Sequence, residues 1–170
     1  MSGIAGLCEE SIYTKIFREY AKTLHNYLYY KTGNSSLAKD LTQEAFTKLW
    51  QNCKSVLPEN AKGYVFKTAN NLLINEYKHN KVVLQHRSIP TTDRSNESPE
   101  YLLVEKELKE KIEKAIADLP EKQRVAFLLS RIEKKTYKEI AVILGISKQA
   151  VEKRIYKALD TLRLITKKIK

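Results

Sequence analysis

Ser147 is followed by Lys148, Gln149, Glu152 and Lys153, whose long side chains end in hydrogen-bond donors and acceptors. Groups of this kind, projecting from the first turns of a helix, suit contact with base edges, while Arg154 and Lys157 further along suit phosphates. Tyr156 adds a ring to the same surface. A second set is Lys67, Asn70, Asn71, Asn75, Lys78 and Lys81, with Tyr64 and Tyr77 at its margins. Amides for base edges, cations for the backbone and rings for stacking are what unstacked single-stranded bases require. The third set, Asp40, Gln43 and Glu44 with Trp50 at its edge, has the opposite character. Carboxylates repel phosphates and tryptophan is favoured at interface cores, so this face suits a protein partner.

Chemistry of the bond-making kind is not indicated. The sequence offers no nucleophile with its base, no paired carboxylates in a defined pocket and no phosphate loop, so we expect neither an enzyme nor a cofactor. Cys8 and Cys53 have no metal or redox spacing, and His25, His79 and His86 form no ligand cluster with them. No metal site is expected. Both thiols are expected to be reduced, with Cys53 a small residue packed in a helix.

The elements that must carry these residues read as helices. Five glycines and four prolines in 170 residues, with no useful alternating run of β-branched residues, point to an all-α chain. A first helix is expected over 10–31, with Ile12, Ile16, Tyr20, Leu24 and Leu28 at helical spacing and a stop at Thr32-Gly33-Asn34. A second starts behind Ser35-Ser36, either of which can cap it, and buries Leu37, Ala38, Leu41, Ala45 and Leu49 before the Pro58 break. A third spans 61–80 and buries Val65, Ala69, Leu72 and Leu73. From His79 to Glu100 the pattern dissolves into prolines, serines and scattered charges, which predicts a linker and hence two domains. Beyond it come helices over 101–117 and from Leu119-Pro120 to about Ile132. Thr136 with Glu139 then forms a capping box, Gly145 marks a helix stop, and Ser147 caps a last helix after a three-residue turn. On that last helix Val151, Ile155, Ala158, Leu159 and Leu162 share the inner side.

Bulk charge supports this division. Thirty-one Lys and Arg against 20 Asp and Glu give +11, a field that attracts polyanions. Residues 121–170 hold fourteen Lys/Arg against five Asp/Glu, so most of the excess sits with the Ser147 helix. No apolar run is long enough to span a bilayer, no signal-peptide core is present, and a soluble intracellular protein is expected. The residues alone leave alternatives open: a solvated face on the last helix, a Trp50 that merely covers the bundle, and a polar bundle face over 61–80. They also admit a dimeric duplex-binding regulator or an adaptor protein.

Taken together, these segments resemble the extracytoplasmic-function sigma factors of the bacterial sigma-70 family. DLTQEAFTKLW is similar to region 2.2, AKGYVFKTANNLLINEYKHNK to regions 2.3 and 2.4, and LPEKQRVAFLLSRIEKKTYKEIAVILGISKQAVEKRIYKALDTLR to region 4. The matches cover most of the chain outside the linker. Two positions depart from the usual pattern: Lys78, His79 and Lys81 stand where several arginines are common, and Tyr64 where tryptophan is frequent. The resemblance implies a sigma2-like helical bundle over 1–82, a flexible linker over 83–99 and a sigma4-like helix-turn-helix domain over 100–170. It implies docking on the beta-prime clamp helices of core RNA polymerase through Asp40, Gln43, Glu44 and Trp50, with the beta flap as a further contact. Capture of melted minus-10 DNA would fall to Asn60, Lys62, Tyr64, Lys67, Asn70, Asn71, Asn75, Lys78 and Lys81. Reading of minus-35 duplex would fall to Ser147, Lys148, Gln149, Glu152, Lys153, Arg154, Tyr156 and Lys157. An anti-sigma factor, in many members tied to the inner membrane, is the further partner implied. Direct membrane binding is not expected, and the location implied is the bacterial cytoplasm.

Overall fold

The computed structural model describes residues 6–79 and 99–167. They form seven helices: α1 Glu10–Thr32, α2 Ser35–Gln51, α3 Ala61–His79, α4 Pro99–Ala117, α5 Glu121–Arg131, α6 Tyr137–Leu144 and α7 Lys148–Lys167. A short 3-10 turn, Pro58–Asn60, leads into α3, and no strand occurs among the described residues. The fold is all-α. The expected linker, apart from its last residue, lies outside the described residues, as does Lys81.

Helix α1 buries Ile16, Leu24, Tyr27 and Leu28 along one side and ends at Gly33, whose φ of 66° is a left-handed conformation that costs a glycine little. The Gly33 N–H closes back on the Tyr29 carbonyl at 2.8 Å. Neither Ser35 nor Ser36 caps α2; both lie in its first turn. Asn34 does so instead, accepting the Leu37 N–H at 3.1 Å. The left-handed turn at Gly33 delivers Asn34 in extended conformation, and an Asn there caps as well as Ser.

Helices α1, α2 and α3 pack as a three-helix unit around Leu24, Leu28, Phe46, Leu49, Phe66 and Leu73. Each such side chain withdrawn from water contributes roughly 1.5–3 kcal/mol. Because α1 and α2 run as a helical hairpin, the start of one lies beside the end of the other. Cys8 and Cys53 meet there in a disulfide with Cα atoms 5.0 Å apart. This corrects the expectation of reduced thiols: a separation of 45 residues carries no local spacing signal, and only the hairpin brings the pair together.

In the second half, α5, α6 and α7 share a core of Val125, Leu128, Leu129, Ile140, Ile143, Val151 and Ile155. The predicted capping box is present: the Thr136 hydroxyl accepts the Glu139 N–H while the Glu139 carboxylate accepts the Thr136 N–H at 2.8 Å. Gly145, at φ 64°, stops α6. The Ile146 N–H then reaches back to the Ala141 carbonyl, which satisfies an end-of-helix acceptor.

The two halves touch, α1 against α5 and α3 against α6. Arg124 of α5 is buried and donates to three carbonyls: Tyr30 in the last turn of α1, Ala117 at the end of α4 and Leu119 in the turn that follows it. A guanidinium fits there because its fixed fork meets acceptors that the helix ends leave open. Glu133 accepts from Asn26 at 2.7 Å and from the Tyr30 hydroxyl at 2.9 Å. Lys134 beside it takes a left-handed φ of 54°, and the chain turns there as it leaves α5.

Candidate nucleic-acid and docking interfaces

On α2, Asp40, Gln43, Glu44 and Thr47 are exposed on one face, as their spacing predicts. Glu44 is offset only by Lys48, 3.6 Å away and well solvated, so the face stays acidic. Trp50 is 44% exposed, yet one side of its ring meets Tyr13 edge-on at 4.9 Å. Phe17, also largely exposed, rests on Phe46 at 4.8 Å. Tyr13 and Phe17 of α1 thus complete an aromatic patch that lies beyond the expected docking residues. The signal was there: two aromatics four apart on α1 face Phe46 and Trp50, four apart on α2. The Tyr13 hydroxyl donates to the Phe46 carbonyl at 2.8 Å, which fixes the register of the two helices at this patch.

On α3, Lys67, Asn71 and Asn75 are exposed, with Ile74 among them. Asn70 is not free. Its amide oxygen accepts from Lys31 at 2.6 Å and from the Tyr27 hydroxyl at 3.3 Å, and the residue is half-buried. Burial lowers the Lys31 pKa, an effect opposed by Glu121 at 3.6 Å. Burial, and secondarily the Glu121 charge, raises the Tyr27 phenol, which stays protonated as a donor. Lys67 and Asn70 open onto a cleft of about 530 Å³ between the halves, walled across by Glu121, Val142 and Arg154. Asn60 is exposed in the 3-10 turn, Lys62 lies over the Tyr20 ring at 5.6 Å, and the Tyr64 hydroxyl reaches the Lys48 carbonyl at 3.5 Å. The Lys78 side chain lies outside the described residues.

On α7, Ser147 accepts the Ala150 N–H at 3.2 Å, as its capping role predicts. Lys148, Gln149, Lys153, Tyr156 and Lys157 are exposed, and Glu152 is half-exposed between them. Val151, Ile155 and Ala158 hold the opposite side in the core. Arg154 departs from the others. It turns to the flank, lining the cleft and a groove beside the start of α5.

Among the described residues, no group of three or more His, Cys, Asp or Glu is placed to hold a metal ion, and no helix is long and apolar enough to cross a membrane.

Two family models match the chain, one in each half. The family model for Sigma-70 region 2 matches residues 16–82, and that for Sigma-70, region 4 matches residues 109–162. The ECF RNA polymerase sigma factor SigE of Mycolicibacterium smegmatis is 26% identical over 88% of this chain, which spans only 59% of that protein's length. ECF RNA polymerase sigma factor SigM of Bacillus subtilis is 26% identical, over 89% of this chain and 93% of its own. Among solved structures, the sigma factor RpoE of Bartonella quintana, in complex with the anti-sigma factor NepR, aligns with TM-score 0.64 at 18% identity, covering 91% of this chain and 96% of that one. CnrH, in complex with the cytosolic domain of CnrY, aligns with TM-score 0.60 at 16% identity, over 91% and 87%. At such identities these two speak for the fold.

Proposed function

Since this chain belongs to the extracytoplasmic-function group of the sigma-70 family, we propose that it acts in the bacterial cytoplasm by binding core RNA polymerase and directing it to promoters. Residues 1–82 are the unit that docks and melts, 83–99 the connection, and 100–170 the duplex reader. The observation that carries this reading is the separation of three chemistries: an acidic aromatic face on α2, an amide and lysine face on α3, and a cationic head on α7.

In this mechanism Asp40, Gln43, Glu44 and Trp50 bind the beta-prime clamp helices, and the second half meets the beta flap. Lys148, Gln149, Glu152 and Lys153 read minus-35 base edges in the major groove while Lys157 grips phosphate. Arg154 joins them once it leaves the cleft. Lys67, Asn71 and Asn75 hold unstacked minus-10 bases, and Asn70 joins them when Lys31 and Tyr27 release it. Bond formation belongs to the polymerase. An anti-sigma factor is a further partner, in keeping with the partner named for the Bartonella relative.

Run-off transcription with purified core polymerase on a promoter library tests the proposal. Promoter-specific transcripts that depend on the protein, and vanish with Asp40→Lys and Glu44→Lys together, are expected. No transcripts, with tight duplex binding by the protein alone as a dimer, would instead identify a conventional regulator.

A further inference from the structure

We propose that Cys8 and Cys53 form a reversible thiol-exchange site, whose disulfide orders the Tyr13–Trp50 face of the α1/α2 hairpin and whose dithiol form loosens it. The proposal rests on the function given above for its reducing compartment and for its consequence at the polymerase.

Four observations carry it. The two cysteines meet at the open end of the α1/α2 hairpin with Cα atoms 5.0 Å apart, an ordinary separation for a disulfide. Cys8 is exposed and Cys53 half-buried, so a small thiolate reaches the bond from solvent. The chain has no third cysteine to divert exchange elsewhere. And the bond joins the two places that set the aromatic patch. Next to Cys8, Leu7 is fully buried and leads into the turn that starts α1, which carries Tyr13; at the other side, the Cys53 N–H donates to the Trp50 carbonyl at 3.1 Å. A protein that works on polymerase works in a thiol-reducing compartment, where a solvent-accessible disulfide is more often transient or regulatory than structural.

The exchange balances with low-molecular-weight thiols. A thiolate RS⁻ attacks the exposed Cys8 sulfur, forming a mixed disulfide and expelling the Cys53 thiolate. A second RS⁻ attacks the R-group sulfur, releasing RSSR and the Cys8 thiolate. Two thiols supply the two electrons, and each cysteine thiolate takes up a proton. Oxidation by RSSR runs the same steps backward.

The test uses the full-length protein equilibrated in glutathione buffers of graded ratio. Thiol alkylation reads the redox state, and acrylamide quenching reads the exposure of Trp50, the single tryptophan of the chain. Affinity for core polymerase is then measured for both forms. Cys8→Ser with Cys53→Ser, which leaves no thiol to exchange, should behave as the dithiol form in every buffer. We expect reversible reduction within the series, quenching that rises with it, and an affinity about tenfold lower for the dithiol form and for the double serine variant, as loss of preorganisation predicts. A disulfide that persists in the folded protein across the whole series overturns the proposal. So does reduction that leaves both quenching and affinity unchanged. If quenching follows the redox state while polymerase binds neither form, the switch stands and the docking role of Trp50 falls.

Discussion

Thr136 and Glu139 hold each other's backbone N–H at the head of α6, and each can be removed singly. Thr136→Ala should cost about 1 kcal/mol. Hydrogen bonds from the Thr136 backbone and hydroxyl hold the Glu139 carboxyl below its ordinary pKa. A depressed folded pKa means that the stabilisation is fully present above the unfolded value and is lost as pH falls through the folded one. Glu139→Gln should therefore destabilise at neutral pH and match the parent in strong acid, as urea melts at the two pH values will show. Arg124→Ala should cost more, about 3 kcal/mol, because two buried carbonyls and one part-buried carbonyl lose their donor together. Glu139 was legible in the sequence because its partner stands three residues away. Arg124 was not: one of its acceptors lies 94 residues upstream, and nothing local separates it from the solvated lysines nearby.

At the level of elements, helix positions followed from periodicity because the buried residues of α1, α2, α3 and α7 recur at three-to-four spacing, and glycine closes α1 and α6. Two features escaped. Phe46 is fully buried yet lies beside the stripe expected through Leu37, Ala38, Leu41, Ala45 and Leu49 rather than on it. The aromatic patch needs two helices seen side by side. The faces also make separable predictions. Asn71→Ala with Asn75→Ala should reduce strand opening, read by permanganate reactivity of the minus-10 bases, yet leave polymerase binding intact; a parallel loss of binding would refute the division between α2 and α3. On α7, Lys157→Ala should weaken promoter binding by the holoenzyme alike across minus-35 sequences and lower its salt slope by about 1. Gln149→Ala should instead relax the preference at one base position, by about 1–3 kcal/mol.

The whole molecule holds what the sequence concealed most fully, the contact between its halves. Glu133 bonds Asn26 from 107 residues away, and Lys31 pairs with Glu121 of the other half, so nothing local in the chain marks either contact. Glu133→Ala should expand the protein, which small-angle scattering would register as a larger radius of gyration; an unchanged radius would mean that Arg124 and the apolar contacts suffice. The cleft that holds Lys67 and Asn70 also bears on affinity as a matter of populations. A single strand that needs this part of α3 binds only the molecules in which α6 has moved away, so its measured dissociation constant is the intrinsic one divided by the open fraction. If the packed arrangement outweighs the open one by about a hundredfold, and docking at the two proposed polymerase contacts holds the halves apart, free protein ignores strands that the docked protein would capture about a hundredfold more tightly. Loose promoter-like strands in the cell would then be poor competitors, and selectivity for the assembled complex would come from an equilibrium within the chain rather than from any contact with the bases.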